Sequence, residues 1–442
     1  MKTQFGSIPT ISISNALPIL KDLAAQRSLL AGMEAMHQEL GNIFEINLPG
    51  FKPVVLSGPE ASREVLVTKR QQFKWRNASD PVTRLLRHGL LVEDGAFHET
   101  LRGIMQPALQ RSQVNRYLPA MLACTDRVMS TWQDGSIQDM LVEMRRLALM
   151  ILMETLFSVD ISSDLPWLWD RIMRVLEYIS PGLWLINSNL PRPGYQKAIK
   201  ELDEYIFTII RDGRLNETGV DDMLGELINR EEMDDDLIRD QILTMLIAGH
   251  DTSTALLSWA LYLISLHPEV MDRAREEVDQ RLKERVPTIM EINQLHYLDQ
   301  IIKETLRLYP PIHAGNRIAD TDLNLQGCAV PKGTRVLLSF YLTHRDEESW
   351  LQSDRFKPER FDRNAPHKQP PFSYLPFGGG PRNCIGAAFA QIEAKLILAW
   401  IIQTFDLELV SPKVNIHMGA TLEPKPGILI RVTRRSKLVN QG

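Results

Sequence analysis

The chain has 442 residues, of which 44% are hydrophobic and 24% charged, and its formal net charge is -5 at pH 7. This composition is typical of a globular protein, and scattered basic residues in a mildly acidic chain argue against a nucleic-acid partner. The length alone allows two or three domains, or one unusually large domain.

The cysteine pattern and the N-terminus indicate the compartment. Cys124, Cys328 and Cys384 lie far apart, which supports neither a disulfide framework nor a zinc site. We expect Cys124 and Cys328 to be ordinary core or strand residues. Residues 1–26 contain no apolar run long enough to cross a bilayer and no secretory h-region. We therefore expect a cytoplasmic protein without a transmembrane anchor.

The elements predicted in chain order give a mainly α fold with small β-sheets. Two strands around a Pro-Gly turn come first, and a long region of helical period follows. A second β-rich region, a proline-rich stretch of little periodicity and a final apolar helix complete the chain. We expect a single domain over 1–442, with helix-rich parts at about 95–310 and 384–406 and β-rich parts at about 43–57, 315–340 and 406–434.

One predicted helix begins near Asp234 and ends before Pro268, a length of about 30 residues or roughly 45 Å. Because it is apolar nearly all round, we expect it to pass through the centre of the molecule. Within it, AGHDT contains Gly249 and Asp251. A glycine costs about 1 kcal/mol relative to alanine inside a helix, and a buried carboxylate costs more. The cost of both residues indicates a functional site.

The stretch FGGGPRNCIG, 377–386, places Cys384 just before a helix that begins near Gly386. The helix dipole favours a thiolate, which can be a nucleophile, a redox centre or a metal ligand. The loop offers no histidine as a base and no second cysteine, whereas the iron of a haem needs only one thiolate. The glycines would let a flat macrocycle approach the backbone, and Arg382 could bind a propionate.

FGGGPRNCIG resembles the haem-binding signature of the cytochrome P450 family, F-x-x-G-x-R-x-C-x-G. The resemblance covers about residues 30–436 and implies the P450 fold, with haem b between the long central helix and the cysteine loop. Cys384 would be the iron ligand. The other residues that it places at the cofactor are Phe377, Gly378, Arg382, Ile385, Gly386, Ala248 and Gly249.

Two further motifs resemble the same family. KETLRLYPP is similar to its E-x-x-R helix, and FKPERF to the segment that supplies a third partner. Glu304, Arg307 and Arg360 would then form a structural cluster beneath the haem, although a surface ion pair is the simpler interpretation of Glu304 and Arg307 alone.

AGHDT is similar to the distal [AG]-G-x-[DE]-T motif. The resemblance assigns Asp251 and Thr252 to proton delivery, whereas a threonine bonded to its own helix is the alternative for Thr252. It also implies propionate contacts from His98 and Arg102 in DGAFHETLR, and from Arg317.

The resemblance implies a monooxygenase that inserts one atom of O2 into a lipophilic substrate, such as a fatty acid or a terpenoid. Electrons would come from a separate ferredoxin, flavodoxin or reductase, since the length leaves no room for a fused reductase, with Lys303 as a possible docking contact. We expect a mostly apolar pocket, with walls at the loop after Trp75, 176–190, 246–256, 311–316 and the turn near Ala420.

Two alternatives remain open. One is a peroxide-using or isomerase-type haem-thiolate enzyme, which would be expected to lack the Asp251–Thr252 pair. The other is a haem-based gas sensor, which would need no such pair and would normally carry an output domain.

Overall fold

A computed structural model of the protein describes residues 6–10, 29–47, 50–181, 192–215, 222–282 and 287–435. Helices dominate the described chain. The α-helices are α1 Leu29–Leu40, α2 Pro59–Arg63, α3 Pro81–Leu86, α4 Gly95–Met105, α5 Arg111–Met129, α6 Met140–Phe157, α7 Leu165–Ile179, α8 Gln196–Leu215, α9 Met223–Ile228, α10 Asp235–Met245, α11 Asp251–Leu266, α12 Pro268–Arg281, α13 Ile289–Asn293, α14 His296–Leu308, α15 Phe340–Thr343 and α16 Ala387–Thr404.

The strands form small sheets at the periphery of the helices. They are β1 Ile43–Glu45, β2 Val54–Leu56, β3 Phe73–Lys74, β4 Ile137–Asp139, β5 Ala314–Ala319, β6 Leu323–Leu325, β7 Cys328–Val330, β8 Arg335–Ser339, β9 Phe405–Leu409, β10 Asn415–Met418, β11 Leu422–Lys425 and β12 Leu429–Arg434. The largest sheet has the order β1-β2-β8-β5-β3, with β2 and β8 parallel and the other neighbours antiparallel. This mainly α architecture with small sheets is the fold class predicted from the sequence.

The central helix is formed by α10, a π-helical turn at Leu246–His250 and α11. Its first turn is capped by Asp234, whose side chain accepts a hydrogen bond of 2.8 Å from the backbone N–H of Leu237. The bounds agree with the prediction, but the π-helical turn was not foreseen. Such turns are frequent at functional sites, and here the turn includes Ala248 and Gly249.

The main hydrophobic core surrounds this helix. α11 packs on α6, α14 and α16, and side chains such as Ala260 and Leu261 are fully buried. β11 closes one side of α11, because the indole N–H of Trp259 donates to Leu422 O at 2.9 Å. Within the described residues, no helix combines the length and apolar character that a membrane span requires.

Candidate active site

A glycine-rich turn holds Cys384 with accessible surface. The backbone N–H of Cys384 donates to Phe377 O at 2.9 Å, which closes the loop three residues before α16. Gly378 and Gly380 have φ values of 68° and 70°, a conformation that favours glycine. A Cβ on Gly380 would collide with the carbonyl oxygen of Leu66. The turn leaves the Cys384 side chain exposed.

The protonation of Cys384 differs from the expectation of a thiolate set by the helix end. Surrounding protein raises the pKa of the thiol, whereas the backbone N–H of Gly386 and the charge of Arg102 oppose that shift. Desolvation therefore outweighs the helix N-terminus in the protein itself. A metal ion that binds the sulfur would supply the missing stabilisation of the thiolate.

A cluster of cationic side chains surrounds Trp75. The guanidinium carbon of Arg317 lies 3.5 Å from the ring centroid of Trp75, and that of Arg382 lies 4.7 Å away. Arg382 also pairs with Asp94 at 2.7 Å. Burial lowers the pKa of Arg317 to about 9, with the charges of Arg76 and Arg382 adding to the effect. Arg76, Arg317 and Arg382 therefore carry more positive charge than the paired Asp94 neutralises.

Three buried nitrogens in this cluster have no hydrogen-bond partner within the described chain. They are Trp75 Nε1, Arg76 Nε and His98 Nδ1. The nearest carboxylate oxygen to His98 Nδ1 is that of Glu99 at 3.7 Å, beyond hydrogen-bonding distance. Buried donors are normally satisfied, so this cluster fits a ligand that carries carboxylates. The propionates of a haem have that chemistry, and Cys384 offers a sulfur that could ligate its iron.

The sequence-predicted propionate residues occupy different roles in this geometry. Arg317 and Arg382 both lie over the ring of Trp75. His98 is near enough to Arg382 for the charge of this arginine to lower the pKa of the imidazole. Arg102 instead donates to Asn383 O at 2.8 Å and to Asn383 Oδ1 at 2.9 Å, and so braces the residue before the cysteine.

Sequence reasoning missed the donors of Trp75 and Arg76. Their only signal was a tryptophan and an arginine directly after β3, which is too short a pattern to indicate a site.

The π-helical turn gives the central helix a partly accessible surface. Ala248, Gly249 and Thr252 are each half-buried, whereas the neighbouring residues of the central turns are buried. Thr252 Oγ1 donates to Ala248 O at 2.7 Å. A Cβ on Gly249 would collide with Leu152 of α6. A larger residue at this position would therefore displace the end of the Leu152 side chain, which is a reason for the glycine besides the close ligand approach expected from the sequence.

Asp251 lies in a buried polar network behind this surface. Arg145 Nη2 lies 3.5 Å from Asp251 Oδ1, and Thr421 Oγ1 donates to Asp251 Oδ2 at 2.9 Å. Burial raises the pKa of the Asp251 carboxyl, and Arg145 and Thr421 oppose the shift. Arg145 also pairs with Glu423, whose side chain is 17% exposed. The network therefore extends from Asp251 to a solvent-accessible carboxylate.

His250 borders the same network and was not singled out from the sequence. Burial and the charge of Arg145 lower its pKa to about 3, so the imidazole is neutral at physiological pH. Neither ring nitrogen has a partner among the described residues, and the same holds for Arg145 Nε.

Glu304, Arg307 and Arg360 meet in the interior. Arg307 donates to both carboxylate oxygens of Glu304 at 2.8 Å, and Arg360 Nε donates to Oε1 at 3.0 Å. Arg307 also donates to the carbonyls of His344 and Ser353. The Glu304 and Arg307 side chains are fully buried, so the surface ion pair is excluded. The cluster ties α14 to the irregular segment that leads to the cysteine loop.

The remaining predicted positions are placed as follows. Phe377 and Ile385 pack on the main core from partly buried positions. Lys303 Nζ pairs with Asp299 at 2.7 Å. Of the predicted pocket wall 176–190, residues 182–190 lie outside the described residues.

Comparisons with known proteins agree with this geometry. The family model described as Cytochrome P450 matches residues 15–431. Cytochrome P450 139 of Mycobacterium tuberculosis is 30% identical over 416 residues, which cover 90% of this chain and 96% of that protein. Pentalenene oxygenase of Streptomyces avermitilis is 30% identical over 414 residues, 90% of each chain. Cyclooctat-9-en-7-ol 5-monooxygenase of Streptomyces melanosporofaciens is 30% identical over 386 residues, covering 84% of this chain and 83% of that protein.

A solved structure extends the match to three dimensions. The crystal structure of the cytochrome P450DA heme domain superimposes with a TM-score of 0.88 at 26% identity, and covers 98% of both chains. The chain therefore belongs to the cytochrome P450 family. It is accordingly a cytochrome P450 monooxygenase, a haem-dependent oxidoreductase.

Proposed function

We propose that the protein holds haem b through Cys384 and oxygenates a lipophilic terpenoid, with electrons from a separate redox protein. The observation that carries this proposal is the pairing of the accessible Cys384 with the unsatisfied donors around Trp75. One end of the site offers a sulfur ligand and the other offers cations for carboxylates. When bound, a thiolate-ligated haem supplies the redox and oxygen-activating chemistry.

The cationic cluster would fix the orientation of the cofactor. Arg317 and Arg382, stacked on Trp75, would bind the propionates together with Arg76 and His98. Arg102 would hold the loop through Asn383. Phe377, Gly378, Ile385 and Gly386 would pack beneath the ring, and Ala248 and Gly249 would face it from the π-helical turn.

Asp251 and Thr252 would deliver protons on the distal side. Thr252 is half-buried, and its hydroxyl donates to Ala248 O and keeps its acceptor capacity, whereas the Asp251 carboxyl is connected through Arg145 to the partly exposed Glu423. A carboxyl with a raised pKa retains a proton that it can pass on, and the hydroxyl can order the water that receives it. Glu304, Arg307 and Arg360 would hold the segment beneath the cofactor in register.

The terpenoid class is supported by two relatives whose names specify such substrates, pentalenene oxygenase and cyclooctat-9-en-7-ol 5-monooxygenase. The electron donor would be a ferredoxin, a flavodoxin or a reductase. The absence of paired cysteines in the sequence supports the cytoplasm as the compartment.

The test is turnover with a surrogate reductase, compared between the wild type and Thr252→Ala. We expect the variant to consume reducing equivalents while forming little product and releasing peroxide. Unchanged product formation would contradict the role of Thr252. Product formation driven by peroxide alone, with no need for a reductase, would favour the peroxide-using alternative.

A further inference from the structure

A side chain from a distant segment binds the backbone at the start of the cysteine loop. The backbone N–H of Leu375 donates to Nε2 of His344 at 2.7 Å, and both residues are buried. Leu375 O accepts from the backbone N–H of Gly378 at 3.1 Å. Phe377 O then accepts from the backbone N–H of Cys384 at 2.9 Å. A short series of hydrogen bonds therefore leads from His344 to the residue that carries the sulfur.

The Leu375 side chain also supports this loop from below. A Cβ on Gly379 would lie 3.3 Å from Leu375 Cδ2, so the side chain packs directly against the glycine-rich turn. Because Leu375 contacts the turn through both its carbonyl and its side chain, a shift of Leu375 would move the turn with it.

The backbone of His344 is itself fixed in the interior. Its N–H donates to Phe340 O at 2.8 Å, at the end of α15. Its carbonyl oxygen accepts from Arg307 Nη1 at 2.9 Å, and Arg307 is bound to Glu304. The imidazole therefore connects the buried ion cluster to the cysteine loop.

The protonation of His344 suits it to accept this hydrogen bond. Burial lowers the pKa of the imidazole to about 3, and the charges of Arg307 and Arg345 add to the effect. The ring is therefore neutral at physiological pH and has one nitrogen that can accept. Because Nε2 accepts from Leu375, the proton of the neutral ring lies on Nδ1.

We propose that His344 is a positioning residue for the iron ligand, which accepts the Leu375 N–H and so fixes the start of the cysteine loop and the direction of the Cys384 sulfur. This inference rests on the proposed ligation of haem iron by Cys384. It differs from a packing role for the ring, because packing needs only a side chain of suitable volume, whereas positioning needs an acceptor at Leu375.

The test separates the acceptor from the volume. His344→Leu removes the acceptor, and His344→Gln keeps a side-chain oxygen that can accept from Leu375. The reduced holoenzyme is held under carbon monoxide at one temperature well below the thermal midpoints of all the variants. The measured quantity is the rate at which the red-shifted band changes to the band of a haem with a neutral ligand.

We expect His344→Leu to lose the red-shifted band about tenfold faster than the wild type, because a buried N–H is left without an acceptor. His344→Gln should stay within about threefold of the wild type. If His344→Leu does not fold, His344→Asn takes its place, since its shorter side chain does not reach Leu375, and the same tenfold increase is expected. Equal rates in the wild type and the variant without an acceptor, or a rate in His344→Gln as fast as in that variant, would overturn the inference.

The matched control is Trp132→Phe, which removes a buried hydrogen bond of 2.8 Å to Glu143 at the junction of α5 and α6. It should lower the thermal midpoint but keep the rate of band loss within about twofold of the wild type. A tenfold faster loss in this control would show that the rate reports general stability, and would overturn the inference.

The wild-type spectrum distinguishes failure of this inference from failure of the proposed function. A red-shifted band in the wild type, lost at the same rate in all variants, rejects the role of His344 alone. Absence of that band in the wild type rejects the proposed function, and this inference with it.

Discussion

Ser253 Oγ donates a hydrogen bond of 2.6 Å to Glu393 Oε2, which joins the distal helix α11 to α16, the helix that follows the cysteine loop. Both side chains are buried. Burial raises the pKa of Glu393 to about 8, against the opposing hydrogen bond from Ser253. The two helices that flank the candidate haem site are therefore connected through a carboxyl group that is protonated at neutral pH.

This arrangement predicts a pH dependence of stability. Between the ordinary glutamate pKa of about 4.3 and the folded-state value, the folded chain retains a proton that the unfolded chain has lost. Stability therefore falls as pH rises through that range, by up to about 1.4 kcal/mol per unit from this group, and levels off above it. Glu393→Gln removes this pH-dependent contribution. As pH rises from 5 to 8, the thermal midpoint of the wild type should therefore fall relative to that of the variant.

The control for this measurement is Glu408→Gln. Glu408 forms an ion pair with Arg431, and its side chain is 74% exposed. The difference in thermal midpoint between this variant and the wild type should not change over the same pH range. If the difference in thermal midpoint between Glu393→Gln and the wild type stays constant over this pH range, Glu393 is ionised in the folded protein.

The Glu304 cluster predicts a large loss of stability. Glu304→Gln would leave the buried charges of Arg307 and Arg360 without a counter-ion, at a cost of about 3–5 kcal/mol. We expect a lower thermal midpoint and a lower haem content after purification. Glu226→Gln, which breaks an exposed pair with Arg230, should cost less than about 1 kcal/mol. Equal losses in the two variants would contradict the structural role.

Trp75→Phe tests the donors of the cationic cluster. The variant keeps an aromatic face for Arg317 and Arg382 but removes the unpartnered Nε1 donor. A hydrogen bond to a charged group is worth about 1.5–3 kcal/mol, so transfer of haem to apomyoglobin should accelerate at least about tenfold. Trp400→Phe removes an indole donor that binds Asp126 elsewhere, and should leave the transfer rate unchanged. Equal rates for Trp75→Phe and the wild type would place the propionates elsewhere.

The buried network predicts that Asp251 and Glu423 act on the same proton path. Asp251→Asn should lower the rate of product formation by about 10²-fold, because the carboxyl that carries the proton is lost. Glu423→Gln should give a smaller decrease and a larger solvent isotope effect, since the entry to the path is altered. If both variants form product at the wild-type rate and show the wild-type isotope effect, protons arrive by another route.

The sequence predicted the features that depend on local pattern. The apolar character of the central helix, its start near Asp234 and its stop before Pro268 agree with the structure because these signals lie within one segment. Cys384 was identified because its glycine-rich turn precedes a helix. The π-helical turn at Leu246–His250 was not predicted, since the sequence there continues the pattern of an ordinary α-helix.

Features that depend on contacts between distant segments could not be predicted from the sequence. The unsatisfied donors of Trp75 and Arg76 become informative only when β5 and the cysteine loop bring Arg317 and Arg382 beside them. The partners of Asp251, namely Arg145 and Thr421, come from positions 106 and 170 residues away. The raised pKa of Cys384 likewise results from desolvation by surrounding protein from distant segments, although the side chain itself retains accessible surface.

The carbon monoxide difference spectrum of the reduced protein shows whether Cys384 ligates a haem as a thiolate. Wild type and Cys384→Ser should be compared at equal haem content. We expect a strongly red-shifted band in the wild type and its absence in the variant. A wild-type band at the position typical of haems with a neutral ligand, unchanged by Cys384→Ser, would show that Cys384 is not a thiolate ligand.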